Sequence, residues 1–304
     1  MHLQPATSNQ QPVTCNQQPA TKLMSSEIKI SLIVPAYNRT DNTRIFIRNI
    51  VENHQGQLHE IIVSDDGSSE NQEQALKEYA PELKIPCKLV MQEDKGFRLA
   101  RARNNGVRYS TGDYICFLDQ DLLPSPGYFH EIRRFARHDR FLLTRTLYTT
   151  PEQKERIVSE PAEDCLREIR RLHNGYIWRT VIKDYFYYLG KKIGMGKTRP
   201  KLKGGAFSLF KEAFVTVNGF DETFIGWGRE DDDLGRRLYL SGICGFNISH
   251  RAYTCHLWHP ETPSKSVSPN FARARNKIYN ADSLRPQFGL LQDSGEKVEV
   301  IRIN

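Results

Sequence analysis

Between residues 29 and 121 the chain repeats one pattern four times: a short apolar run that stops at a cluster of polar residues. The runs cover residues 29–38, 59–64, 88–92 and 114–118, and helix-compatible stretches (41–53, 71–79 and 98–109) lie between them. Each run has the length of a strand, and each spacer is long enough to return over a sheet as a helix. The alternation predicts an α/β fold, a mostly parallel, doubly wound sheet with helices on both faces. In such sheets ligands gather beyond the carboxyl ends of the strands. The polar residues here fall at those ends: Tyr37 and Asn38, Asp65 and Asp66, then Asp119 and Asp121.

The rest of the chain is read against that half. Residues 1–26 form a low-complexity tail in which Asn9-Gln-Gln-Pro-Val-Thr-Cys15 recurs as Asn16-Gln-Gln-Pro-Ala-Thr-Lys22. Such a tail has little to bury and no expected chemistry. Its start lacks a basic region followed by an apolar one, so no secretory signal is expected. No stretch of the chain approaches the ~18 uninterrupted apolar residues of a membrane span. The six cysteines include no C-x-x-C pair, which fits reduced packing residues and a cytoplasmic location. Lys+Arg 43 against Asp+Glu 36 gives a net charge of +7, suited to an anionic ligand or surface. The cations are spread along the chain and form no stripe with stacking aromatics, which argues against nucleic acid as a partner.

Residues 152–188 are charged and helical in character and run into Asp184-Tyr-Phe-Tyr-Tyr188 and a basic loop bearing Lys191, Lys192, Lys197, Arg199, Lys201 and Lys203. Two readings stand: a surface helical insertion with a solvated loop, or an element touching an acceptor or peripherally touching a membrane. Trp and Tyr beside Lys and Arg suit a lipid headgroup layer. Strands are then expected at 203–210, 243–248 and 252–258, with a helix over 230–240 whose first turn is acidic. A basic amphipathic segment (271–279) and a polar end close the chain.

Three groups carry candidate chemistry. Asp119-Gln120-Asp121 follows an apolar strand, and two carboxylates so placed can present oxygens to a hard cation bridging a diphosphate; the same pair also occurs in ordinary turns. Gly226-Trp-Gly-Arg-Glu-Asp-Asp-Asp233 sets an indole between glycines directly before four acids. Acids are ordinary capping chemistry for a first helical turn. An aromatic face that stacks on a sugar ring beside a carboxylate that takes a hydroxyl proton is the functional alternative. His250, His256 and His259 lack zinc-finger or metalloprotease spacing, so each is a satisfied polar residue or one member of a shell completed by carboxylates. Gly194-Met-Gly-Lys-Thr198 is no phosphate loop, because Lys191 stands where the first glycine of that motif belongs.

Taken together and in order, Val34-Pro-Ala-Tyr-Asn38, Asp65-Asp-Gly-Ser68, Asn104-Asn-Gly106, Asp119-Gln-Asp121, Gly204-Gly205, Asn218-Gly-Phe220 and Gly226–Asp233 resemble a GT-A fold glycosyltransferase. The first half resembles family 2 transferases, and the second resembles β-1,4-galactosyltransferases and chondroitin-type polymerases. The resemblance divides the chain into a catalytic domain over 27–262 and a C-terminal extension over 263–304. Within the domain it implies a nucleotide-binding half (27–140), a helical insertion (141–202) and an acceptor half (203–262).

It also implies roles. Pro35, Tyr37, Asn38, Asp65 and Asp66 would form the uridine pocket, with Lys95 and Arg101 contacting the nucleotide. Asp119 would approach ribose or metal, and Asp121 would bind Mn²⁺ or Mg²⁺ with His256, His259 being the alternative. Gly204, Gly205, Trp227 and Gly228 would border the acceptor. Asp231 would be the general base, with Glu230 and Asp232 holding sugar hydroxyls. Arg229 stands where relatives usually have Gly. The implied partners are a UDP-sugar donor and a glycan or lipid-linked saccharide acceptor, with inversion at the anomeric carbon. The alternatives are a retaining transferase of the polypeptide-GalNAc type, a nucleotidyltransferase, and a non-catalytic carbohydrate-binding or membrane-associated scaffold.

Overall fold

The computed structural model describes residues 28–195, 198–260, 270, 274, 277, 279, 284–292 and 295–304. The duplicated tail and most of the 271–279 segment lie outside them. The four expected runs are strands β1 (Ile30–Ala36), β2 (Glu60–Asp65), β3 (Cys87–Gln92) and β4 (Tyr114–Leu118), and they pair in parallel in the order β3-β2-β1-β4. The helices between them are α1 (Thr40–Asn53), α2 (Gln72–Lys77) and α3 (Leu99–Arg108). Both sheet faces are covered, which is why the strands read as continuous apolar runs and not as alternating ones. Ile30, Leu32 and Val34 of β1 join one core with Phe46 and Ile50 of α1, while Ile33 joins a second core with Val107 of α3. Gly106 lets α3 lie close on β1, because a Cβ there would sit 2.4 Å from the Ile33 side chain.

Beyond β4 the chain forms β5 (Leu122–Pro124), α4 (Tyr128–Phe135), β6 (Arg140–Leu143) and β7 (Thr146–Tyr148). The helices α5 (Pro151–Ser159), α6 (Ala162–Leu172) and α7 (Asn174–Lys192) follow. The last part holds β8 (Ala206–Phe210), α8 (Lys211–Thr216), α9 (Glu230–Leu240), β9 (Cys244–Asn247), β10 (Thr254–His256) and β11 (Val298–Arg302). The eight-stranded sheet runs β11-β3-β2-β1-β4-β8-β6-β9, and a three-stranded sheet runs β5-β10-β7.

The main sheet is mostly parallel, as expected, with β11 joining β3, and β8 joining both β4 and β6, in antiparallel fashion. Three corrections to the expected organisation follow. The segment 141–202 is not purely helical, since most of β6 and all of β7 lie in it. Residue 262 is not a boundary of the fold, because β11 completes the sheet edge beside β3 and Ile303 joins the first core. Gly204 and Gly205 precede β8 and do not open it. Cys87, Cys116, Cys165, Cys244 and Cys255 are buried and unbridged, and no helix of the described residues is long and apolar enough to cross a membrane.

Candidate active site

The ends of β1 and β2 are tied together by side chains that cap backbone. Asn38 and Arg39 turn through left-handed φ values of 51° and 52°. Asn38 accepts from the Ser69 amide at 2.9 Å, and its own amide donates to Ser68 Oγ at 2.7 Å. Asp65 accepts from both the amide and the hydroxyl of Ser68. Its carboxylate is thus committed to the turn, a structural role that the nucleotide-pocket expectation did not separate from that of its neighbour. Asp66 is also buried and accepts from the Arg98 amide at 2.7 Å and from Gln92. Burial raises its pKa to about 6, against the pull of those hydrogen bonds. Pro35 is buried within β1, and Tyr37 is exposed with its hydroxyl 3.4 Å from Asp94. Gln120, the middle residue of the Asp-x-Asp stretch, locks this turn to the end of β4. It accepts from the Tyr37 amide at 3.2 Å and donates to the Asn38 carbonyl at 3.0 Å. The sequence marked its neighbours and passed over Gln120.

The basic residues sort differently from expectation. Lys95 pairs with Glu93 at 3.1 Å and lies 3.6 Å from Glu296. Arg101 is buried between Glu222 and Glu296, at 3.8 and 3.7 Å. The α3 arginine that reaches the acidic cluster is Arg103, 1% exposed, with Nη2 2.9 Å from Asp119 and Nη1 3.3 Å from Glu230. Arg101 and Arg103 are two residues apart on a helix and so face different ways. Their spacing alone could not say which would turn inward.

Asp119 and Asp121 diverge. Asp119 Oδ1 faces Arg103, and Oδ2 would lie 3.1 Å from any Cβ at Gly205. Burial raises the Asp119 pKa, Arg103 opposes, and the charges of Asp121 and Asp231 add to the rise. Asp121 looks toward two imidazoles: His256 Nε2 is 3.4 Å and His259 Nε2 3.5 Å from its Oδ2. The three residues offer ligand atoms all within 4.8 Å of one another. Antiparallel pairing of β5 with β10 builds this trio by setting His256 opposite Leu122, and the Leu257 amide donates to the Asp121 carbonyl at 2.8 Å. Burial works to raise the Asp121 pKa, but the hydrogen bond from His259 and the charges of both histidines hold it below the usual range. Burial lowers the pKa of His256, while the Asp121 hydrogen bond raises that of His259. His256 and His259, weighed as alternatives from the sequence, are both present; His250 packs against Phe135 and Trp178 instead.

The four acids of α9 do four different things. Asp233 is fully buried and bound to Arg237 at 2.8 Å, a structural pair. Asp232 is engaged by Lys201 at 3.1 Å and Arg229 at 2.5 Å. Asp231 accepts from the Gly204 amide at 3.0 Å and from the Asp232 amide at 2.7 Å. Glu230 keeps Oε2 buried without a hydrogen-bond partner among the described residues. Burial raises its pKa to about 7, helped by the charge of Asp231 and opposed by Arg103. A Cβ at Gly204 would meet Arg103 Nη1 at 2.8 Å and the Asp231 side chain at 3.1 Å, so any larger residue there would displace the guanidinium. Trp227 is exposed between Gly226 and Gly228, which have φ values of 85° and 89°. Arg229 holds φ 77°, a conformation that glycine adopts without strain, and its bond to Asp232 offsets part of that cost. This accounts for glycine being usual there in the resembling family.

A family model described as glycosyl transferase family 2 matches residues 31–197, and one described as the N-terminal domain of galactosyltransferase matches 189–260. The validoxylamine A glucosyltransferase of Streptomyces hygroscopicus subsp. jinggangensis (strain 5008) is 26% identical over 290 residues, 85% of this chain and 62% of that protein. Chondroitin synthase of Escherichia coli is 26% identical over 284 residues, 89% of this chain and 40% of that protein. The chain therefore spans less than two thirds of either relative. A solved mannosyltransferase, PcManGT from Pyrobaculum calidifontis with GDP-Man and Mn²⁺, matches at a TM-score of 0.53 and 17% identity. The match covers 79% of this chain and 59% of that one, a likeness of fold that places the architecture among GT-A glycosyltransferases. With the first family model running from β1 past the end of α7, more than half of the 304 residues, the chain belongs to glycosyl transferase family 2.

Proposed function

We propose that this chain transfers a sugar, with inversion, from a UDP-sugar to a hydroxyl of a glycan or lipid-linked saccharide. One observation carries the reading: beyond the carboxyl end of β4, where a nucleotide-sugar would lie, Asp121 meets His256 of the second sheet and His259 just past it, while Asp119 shares Arg103 with Glu230 of α9. The donor set fits a divalent metal. Its carboxylate is held ionised and one imidazole neutral, the forms a metal needs. Imidazole donors favour Mn²⁺ over Mg²⁺, which prefers oxygen alone. When bound, such an ion stabilises the charge developing on the departing diphosphate.

The protein's own groups supply the rest. Asp66 accepts from the uracil edge, and Arg103 fixes Asp119 against the donor. Asp231 takes the proton of the acceptor hydroxyl on the face opposite the leaving group, oriented by the Gly204 and Asp232 amides. Glu230, its pKa raised to about 7, keeps a substantial protonated fraction near neutral pH, and in that form donates from Oε2 to a sugar hydroxyl. Trp227 offers its face to the acceptor ring.

The test is a thermal-shift panel of UDP, UDP-sugars, GDP-mannose and CMP-sialic acid, each with Mn²⁺ or with EDTA. A ligand at 100 times its Kd adds about 2.7 kcal/mol of stability. Stabilisation by UDP and one UDP-sugar, lost in EDTA, is expected. A preference for GDP-mannose would overturn the uridine assignment, and silence toward every nucleotide would return the chain to the scaffold reading. The anomeric configuration of the product decides between inversion and retention.

A further inference from the structure

The helix α7 carries two faces that the transfer chemistry does not use alike. Its inner face is fastened to the sheet: Asp184 is buried, with Arg145 at 2.6 Å and Asn247 at 2.7 Å, and Tyr188 stands edge-on to Phe246. Its outer face is apolar and largely exposed, with Trp178 resting partly on His250. Trp178, Ile182, Phe186 and Leu189 are exposed by 46%, 53%, 68% and 39%, and Ile193 just past the helix end by 69%. Their spacing (i, i+4, i+8, i+11, i+15) places them along one stripe of about 100° at 100° per residue. Scattered exposed apolar residues are normal, but a continuous stripe of this kind marks a contact surface.

The charges around the stripe say what kind. Arg179 and Lys183 border it on one side, Lys192 lies at its end, and the helix's one acid, Asp184, is turned inward and neutralised. Arg179 and Lys183 make no ion pair among the described residues, while Lys192 bonds Asp139. The face α7 presents is therefore apolar, aromatic and basic, on a chain whose net charge is +7. A second copy laid on it would bring cations against cations. An anionic lipid surface complements both parts: acyl boundary for Trp178, Ile182 and Phe186, headgroups for Arg179 and Lys183.

We propose that α7 is an interfacial helix that docks this glycosyltransferase on an anionic bilayer, lying in the plane of the surface. The nineteen residues of α7 are too polar to span, as the absence of any spanning helix among the described residues states. The proposal stands apart from the donor chemistry, since none of these side chains touches the acids or the histidines of the site.

The test is co-sedimentation of the full chain with vesicles of phosphatidylcholine alone and of phosphatidylcholine mixed with phosphatidylglycerol. Binding to the mixed vesicles only is expected. Arg179→Gln with Lys183→Gln should weaken it about 25-fold, at about fivefold per charge. Trp178→Ser with Phe186→Ser should weaken it by at least about tenfold. Both double variants should keep the nucleotide-induced thermal shift of the unmodified chain, which shows that they fold. Brominated lipid should quench tryptophan fluorescence, and Trp178→Phe should remove most of that quenching. No binding to either vesicle, equal binding to both, or undiminished binding by the variants overturns the proposal. So does a dimer in light scattering that Trp178→Ser with Phe186→Ser makes monomeric, which would give the stripe to a second copy.

Discussion

Asp119 and Asp121 leave the same strand end two residues apart, yet the first turns inward to Arg103 and the second toward His256 and His259. One region is closed: Arg103 is shared between Asp119 and Glu230, packs over the ring of Phe220 at 5.3 Å, and is almost wholly buried. The other is more open, its three side chains 17–23% exposed, with His256 also packed against Tyr148 and the charge of Arg39 nearby. The electrostatics follow. In the closed cluster burial prevails and the acids Asp119 and Glu230 hold their protons more tightly than usual. In the open one the imidazoles prevail over burial and Asp121 gives its proton up more readily. A fixed ionic frame beside a set of acceptors ready for an incoming cation is a division of labour that one Asp-x-Asp stretch can hold only because Gln120 pins the turn between them.

The largest effects should come from the open region. Asp121→Ala removes the only carboxylate of the trio, and turnover that depends on added Mn²⁺ should vanish while the metal-free melting point barely moves. Residual metal-stimulated turnover would show that the trio is not where the cation acts. Next comes Asp231→Asn, which keeps an acceptor oxygen for one of the two backbone amides but not the base. The rate should fall by about 10²–10⁴, roughly 3–5 kcal/mol of barrier, with UDP affinity nearly unchanged. A variant at full rate would remove Asp231 from its role.

Much of this geometry could be read from the chain before its fold was known, for a physical reason that also sets the limit. Strands buried on both faces announce themselves as apolar runs, and the residues that stop them must be the polar ends where a site forms; Asn38, Asp66, Asp119 and Asp121 were legible on that ground. The acids of α9 were legible as a group but not as individuals. Whether an acid meets Arg237, Lys201 or a backbone amide depends on segments up to about 30 residues away in the chain. Arg103 was hidden because its partners, Asp119 and Glu230, meet it only once β4 and α9 converge. The polarity of β8 and the place of β11 were hidden likewise, since β11 pairs with a strand about 200 residues earlier. Joining β10 to β5 is long-range too, and it turned a choice between His256 and His259 into a pair.

The closed region can be probed by removing its cation. Arg103→Met leaves Asp119 and Glu230 in a buried place with no compensating charge, and breaking such a pair costs about 3–5 kcal/mol. A urea midpoint lowered to that extent is expected; an unchanged midpoint would mean that the acids simply take up protons and that the frame is dispensable. Glu230 then gives the smaller and more specific effect. Its pKa rises from 4.5 unfolded to about 7 folded, because burial and the Asp231 charge outweigh Arg103. The folded state therefore binds that proton more tightly, so the group's contribution to stability is complete below pH about 4.5 and is lost as pH rises through about 7. At 1.36 kcal/mol per unit the contribution is at most about 3 kcal/mol. Glu230→Gln mimics the protonated form at every pH and keeps an oxygen for Arg103, so unfolding curves at pH 5 and pH 8, roughly bracketing the transition, should differ less for the variant than for the unmodified chain. If both decline equally, the closed cluster owes its alkaline sensitivity to another group, and the contrast with Asp121 rests on geometry alone.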